Sequence, residues 1–161
     1  MNSREKILSL EALKDWRGSL RKQRRQLVAT NGCFDILHLG HVTYLEAAKN
    51  QGDALLVAVN SDASVKGLKG PNRPVNNEQD RAAVLAALAS VDAVCIFYEA
   101  DATRLLTEIQ PDIYAKGGDY TIDTINQDER RLVESLGGRV VVLGGVPGKS
   151  TTGLLEKLAR K

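Results

Sequence analysis

Five short runs rich in β-branched and apolar residues alternate with stretches of helical character, and this alternation limits the chain to few architectures. The runs are Gln26 to Thr30, Ala54 to Asn60, Ala93 to Phe97, Asp112 to Ala115 and Arg139 to Leu143. The helical stretches are about His41 to Asn50, Asn77 to Ala89, Ala102 to Ile109, Gln127 to Leu136 and Thr151 to Lys161. Such a pattern predicts right-handed βαβ units, hence an α/β fold: a Rossmann-like three-layer α/β/α sandwich around a mainly parallel five-stranded sheet. Ligands of these sheets bind beyond the carboxyl ends of the strands, so the loops after strands are where chemistry is expected. At 161 residues with 43% apolar content, the chain is expected to form a single domain.

The longest apolar run, Ala82 to Ala89, falls short of the ~18 residues of a membrane helix. It is apolar enough for core or for a subunit interface. Lys and Arg number 22 and Asp and Glu 20, a net charge of +2, which argues against a nucleic-acid binder on bulk charge. The charge is polarised, because residues 1–25 hold eight basic and three acidic side chains. Ile7, Leu10, Leu13 and Leu20 recur there at near-helical spacing after or around the potential cap Ser9, predicting an amphipathic N-terminal helix with a solvated basic face. Docking of an acidic partner is the alternative use of that face. Cys33 and Cys95 stand far apart and form no zinc pattern, so a reduced, cytoplasmic setting is the simplest expectation. The irregular stretch Lys66 to Asn77, with Gly67, Gly70, Pro71 and Pro74, predicts a mobile loop.

Both histidines of the chain fall in Gly32-Cys33-Phe34-Asp35-Ile36-Leu37-His38-Leu39-Gly40-His41, between the first strand and the first helix of the alternating pattern. Free backbone N–H groups at such a turn make an anion site, and two imidazoles beside it add donors where charge develops on a phosphate. A surface histidine pair and a metal pair are the alternatives.

This segment resembles the GxFDxxHxGH signature of the cytidylyltransferase-like nucleotidyltransferases, and Ser150-Thr151-Thr152 resembles their ISTT motif, with Lys149 where an apolar or small residue is usual. Asn60 to Lys66, Leu68-Lys69-Gly70, Arg73-Pro74-Val75 and Lys116-Gly117-Gly118-Asp119-Tyr120 resemble the bacterial heptose 1-phosphate adenylyltransferases. The likeness runs from about Leu27 to the C-terminus. It implies transfer of AMP from ATP to D-glycero-D-manno-heptose 1-phosphate, giving ADP-heptose and pyrophosphate for lipopolysaccharide inner-core synthesis. ATP and the heptose phosphate are the implied partners, with Mg²⁺ carried by the nucleotide. No nucleic acid or membrane partner is expected, and a homodimer or larger homo-oligomer is. The length leaves no room for the sugar kinase often fused to this domain, so a stand-alone form is expected. A cytidylyltransferase for glycerol 3-phosphate or a similar alcohol phosphate, a guanylyl-transferring heptose enzyme and a nucleotide-binding module without turnover stay open.

The resemblance also implies roles. His38 and His41, with Lys66 and Arg81, are the expected catalytic set. Gly32, Cys33, Phe34, Lys116, Gly118, Ser150, Thr151 and Thr152 join the histidines around the nucleotide, Cys33 and Phe34 through backbone N–H groups. Asp35, Lys66, Lys69 and Asp119 are expected at the sugar phosphate, Asp35 orienting the sugar or a Mg²⁺ water shell. Local loop capping for Asp35, an ion pair with Asp80 or Glu78 for Arg81, solvation for Lys66 and Lys69, turn chemistry for Asp119 and helix capping for Ser150 or Thr151 are the competing structural uses.

Overall fold

The seven residues Ala54–Asn60 are all buried, which places this strand at the heart of a sheet covered on both faces. The structure, a computed structural model, describes residues 2–160. Its strands are β1 (Leu27–Gly32), β2 (Ala54–Asn60), β3 (Ala93–Phe97), β4 (Ile113–Lys116) and β5 (Arg139–Val142). They form one sheet in the order β3-β2-β1-β4-β5, with all four pairings parallel. The expected Rossmann-like α/β architecture is therefore what the chain adopts.

The helices are α1 (Leu10–Lys22), α2 (Leu39–Lys49), α3 (Asp62–Lys69), α4 (Glu78–Ala86), α5 (Thr103–Ile109), α6 (Gln127–Ser135) and α7 (Thr151–Ala159), preceded by a 3₁₀ turn at Ser3–Lys6. Alternate residues of the strands feed two cores. Leu27, Leu56 and Tyr114 pack with Leu13 and Leu20 of α1, Leu105 and Ile109 of α5 and Val133 of α6. Val28, Leu55, Val57 and Ile113 pack with Leu45 and Ala48 of α2 and Ala82 and Leu85 of α4 on the opposite face. This period-2 division produces the three layers.

The N-terminal helix forms with Ser9 accepting from the Ala12 N–H at 3.2 Å, as the cap reading requires. Two expectations about it are corrected. Ile7 lies outside the helix and bridges Val94, adding to the exposed side of β3. Arg17 does not belong to a solvated face: it is 4% exposed, donates to the carbonyls of Ile109 and Gln110 and pairs with Asp112 at 3.0 Å. Of the run Ala82 to Ala89, Ala82, Leu85 and Ala86 are core, while Val84 is exposed.

The expected loop Lys66 to Asn77 is also corrected, since its first part is the end of α3. Ser61 caps that helix through the Ser64 N–H and Val65 anchors it in the interior. The remainder is pinned to β1's loop: the Asp35 carboxylate accepts from Arg73 Nε at 2.7 Å and from the N–H groups of Val75 and Asn76 at 2.9 Å.

β1 has β2 on one side and β4 on the other, so the strand order reverses across it. The loops leaving β1 and β4 separate there, and a crevice opens at their carboxyl ends.

Candidate functional site

The crevice is a cavity of about 660 Å³, within the range of small-molecule sites. Its walls are the β1–α2 loop, the start of α2, the end of α3, the β4–α6 segment and the start of α7. Thirteen of the fifteen side chains or loop positions expected from the sequence line it: Gly32, Cys33, Phe34, Asp35, His38, His41, Lys69, Lys116, Gly118, Asp119, Ser150, Thr151 and Thr152. Lys66 and Arg81 do not.

The loop from β1 folds tightly because Phe34 adopts a left-handed backbone (φ 46°) and lays its ring over Gly32, where a Cβ would meet the ring at 2.9 Å. His38 then caps α2, its Nδ1 accepting the Gly40 N–H at 3.1 Å. When neutral, its proton therefore sits on Nε2. A Cβ on Gly40 would strike this imidazole at 2.9 Å, which explains the glycine between the histidines. The His38 and His41 rings lie 4.0 Å apart between centroids. His41 Nδ1 is buried and makes no hydrogen bond among the described residues. Burial, reinforced by His38, pushes the His41 pKa down to about 4, and burial together with Lys149 lowers that of His38. Both rings are neutral donors or acceptors at pH 7.

Around this pair the crevice gathers charge of both signs, with Asp35 beside Arg73, Glu129 beside Lys116, and Asp101 and Asp119 also in its lining. It receives the N-termini of α2 and α7 and the side chains of Lys69, Arg73, Lys116 and Lys149. Ser150 performs the capping role, accepting from the Gly153 N–H at 3.0 Å, and the Thr151 hydroxyl donates to the Ile36 carbonyl. Thr152 is exposed in the first turn of α7.

Three roles drawn from the resemblance meet a different geometry. The Arg81 side chain is fully buried and its donors go to the carbonyls of Asn76 and Cys33 and to Asp62. It braces the β1 loop against α3 and the 73–76 segment and does not reach into the crevice. Lys66 sits exposed on α3 outside the lining. Asp35 lines the cavity, yet its carboxylate is 1% exposed and engaged by Arg73, Val75 and Asn76. Its role is the local anchoring that was the alternative. The Cys33 thiol is pushed up in pKa by burial, against the pull of Lys69, Arg81 and Arg73, so it is no nucleophile at neutral pH.

Sequence reasoning missed Asn31, Arg73, Tyr114, Glu129 and, as a site cation, Lys149. Lys149 carried a signal, as the departure inside the C-terminal motif. Glu129 carried none, standing in the charged run Asp128-Glu129-Arg130-Arg131 while being 2% exposed.

The glycines after β4 are steric requirements. A Cβ on Gly117 would come within 2.4 Å of the Tyr44 ring, whose hydroxyl bonds Thr30 at 2.7 Å. Gly117→Ala is expected to destabilise the fold by about 1–3 kcal/mol through overpacking, read as a lower urea midpoint with unchanged slope.

The family profile described as cytidylyltransferase-like matches residues 29–147. The "Bifunctional protein HldE" of Methylobacillus flagellatus is 51% identical over 155 residues, which are 96% of this chain and 31% of that protein. The protein of the same name from Mesorhizobium japonicum is 58% identical over 129 residues, 80% of this chain and 26% of the relative. The chain thus spans about a third of the length of the curated relatives it matches. Among solved structures, the lipopolysaccharide core biosynthesis protein from Thermoplasma volcanium superposes with a TM-score of 0.63 at 31% identity, covering 76% of this chain and 97% of that one. A pantoate-beta-alanine ligase from Francisella tularensis shares the fold at a TM-score of 0.57 and 14% identity, over 96% of this chain and 79% of its own. With the paired histidines set at a helix N-terminus in the crevice of a five-stranded parallel sheet, and with these matches, the chain belongs to the cytidylyltransferase-like family of nucleotidyltransferases.

Proposed function

We propose that the protein transfers AMP from ATP to D-glycero-D-manno-heptose 1-phosphate, releasing pyrophosphate and forming ADP-heptose for the lipopolysaccharide core. The observation that carries this reading is the crevice itself, in which two neutral imidazoles, two helix N-termini and four cations face one cavity while no nucleophile is poised. The heptose finer point draws support from the likeness to the HldE proteins and to the lipopolysaccharide core biosynthesis protein.

The step needs no covalent enzyme intermediate. An oxygen of the sugar phosphate attacks the α-phosphorus in line, the new P–O bond forms as the bond to the bridging α–β oxygen breaks, and that oxygen leaves with pyrophosphate. His38 and His41 donate to phosphate oxygens as charge grows, and the N–H groups at the starts of α2 and α7 bind the polyphosphate. Lys69, Arg73, Lys116 and Lys149 neutralise the two assembled anions.

No group of three or more His, Cys, Asp or Glu side chains suited to a metal occurs among the described residues, and the Asp35 carboxylate is already engaged. The donor set therefore fits Mg²⁺ held by the triphosphate and water, with Asp119 and Asp101 as exposed carboxylates in the crevice lining. An ion held so would supply charge neutralisation to the leaving phosphates.

Pyrophosphate release is the test, measured with ATP, CTP and GTP against heptose 1-phosphate and glycerol 3-phosphate in Mg²⁺. Release with ATP and heptose 1-phosphate alone is expected. Preference for CTP with glycerol 3-phosphate, or for GTP with the heptose, overturns the assignment in favour of that pair, and release with none favours a module without turnover.

A further inference from the structure

At the carboxyl end of β4, Lys116 is set too deep for an ordinary surface ligand, with a side chain 13% exposed, and yet it lines the crevice. Its ammonium donates to Asn31 Oδ1, lies 3.4 Å from Glu129 Oε2 and sits 4.9 Å above the Tyr114 ring centre. The Tyr114 hydroxyl is 2.7 Å from both Asn31 Oδ1 and Glu129 Oε2, and its single proton is donated to one of them at a time. Glu129 uses its other oxygen to accept the Ala102 N–H at 2.9 Å, where α5 begins without a side-chain cap of its own. The ends of β1 and β4 and the starts of α5 and α6 thus converge on one ammonium. A buried ion pair adds little to stability against an apolar replacement, so what this arrangement achieves is the placement of a charge.

We propose that Asn31, Tyr114 and Glu129 are positioning residues that fix the Lys116 ammonium at the crevice floor with an N–H left for an anionic oxygen of a nucleoside triphosphate. The inference rests on the reading of the crevice as a nucleoside triphosphate site. An ammonium has three donors: Asn31 accepts one, and Glu129 faces the group at 3.4 Å as its counter-charge. Burial lowers the Lys116 pKa, and the Glu129 carboxylate of α6 opposes that effect. Tyr114 of β4 remains protonated, its pKa raised by burial, by Glu129 and, more weakly, by Tyr44 of α2 and Asp101 ahead of α5. Glu129 is therefore the carboxylate that favours the charged form of Lys116 against burial.

Calorimetric titration with ATP and Mg²⁺ across pH 7–10, beside ¹³C-lysine NMR titration of the same proteins, tests this. Lys116→Met is expected to weaken ATP binding about tenfold or more, the worth of one charge-assisted bond, and to identify the Lys116 signal by its loss. Glu129→Gln keeps the acceptor for Ala102. It is expected to move the Lys116 titration to lower pH, with the alkaline loss of ATP affinity moving in the same direction. Asn31→Ala leaves the α5 cap untouched and is expected to weaken ATP binding as well, so it carries the test should Glu129→Gln not fold. ATP affinity equal to wild type in Lys116→Met or Asn31→Ala overturns the proposal. So does a Glu129→Gln protein that loses thermal stability while its Lys116 titration and ATP curve stay in place. Variants that show these shifts beside a wild type that releases no pyrophosphate with heptose 1-phosphate overturn the assigned reaction and leave the positioning role standing.

Discussion

His41→Ala is expected to lower kcat by about 10²- to 10³-fold, the usual loss when one preorganised donor to a developing oxyanion is removed. The imidazole is held between Phe34, 5.4 Å away, and His38, and its buried Nδ1 has no partner among the described residues. An unpaired buried nitrogen costs stability, a cost the fold carries at a side chain that lines the crevice. Turnover near wild type in His41→Ala, in steady-state pyrophosphate release, refutes the role. His38→Ala should match that loss and also cost about 1 kcal/mol of stability, because His38 caps α2. His38→Asn can restore a side-chain acceptor at the cap without restoring the imidazole, which separates the two contributions.

The same histidine has a signature in acid. The folded pKa of His41, about 4, lies below its ordinary value of 6.5, so the unfolded chain takes up the proton more readily. The stability this group confers is complete above pH 6.5 and is lost as pH falls toward 4. In His41→Ala the dependence of the urea midpoint on pH should flatten in that window. A curve parallel to wild type contradicts the assignment.

Asp35→Ala is the substitution expected to harm the fold most. It leaves Arg73, only 16% exposed in its side chain, without its carboxylate and strips the acceptor from the Val75 and Asn76 N–H groups. The expected loss is about 3 kcal/mol, the low end for breaking a buried pair, because Arg73 keeps some contact with water. Burial pushes the Asp35 carboxyl up in pKa, but the Asn76 and Val75 amides and Arg73 outweigh it and the net shift is downward. Its contribution is therefore present above the ordinary carboxylate range and disappears as pH falls through the lowered folded pKa. Asp35→Ala should consequently lose less stability on acidification than wild type. Equal urea midpoints for the two proteins at pH 7 contradict the anchoring role.

The period of the apolar residues made the sheet legible. The buried faces of β2 and β3 are continuous apolar runs in the sequence, and those two strands fall where the runs do. The other strands shift by one or two residues, because a strand's end is set by its neighbour's register, as where β4 pairs with β5 through Lys116. α3 escaped notice because it is eight residues long, with glycine at Gly67 and a further glycine ending it at Gly70. Its Ser61 cap and buried Val65 outweigh that weak propensity.

The sequence by itself determined the layered parallel fold and the paired histidines at the turn after the first strand, because both are written in local spacing: an apolar strand run, a glycine-bounded turn and then helical periodicity place the turn's residues at a helix N-terminus. Only the tertiary structure decided which charges meet the crevice. Arg81 and Asp35 are claimed by partners tens of residues away, and Lys116 is held by Asn31 and Glu129 from two other elements. Whether a charged side chain serves a ligand or the fold depends on its burial and on which donors remain free. Those are properties of packing between distant segments, which no local pattern carries.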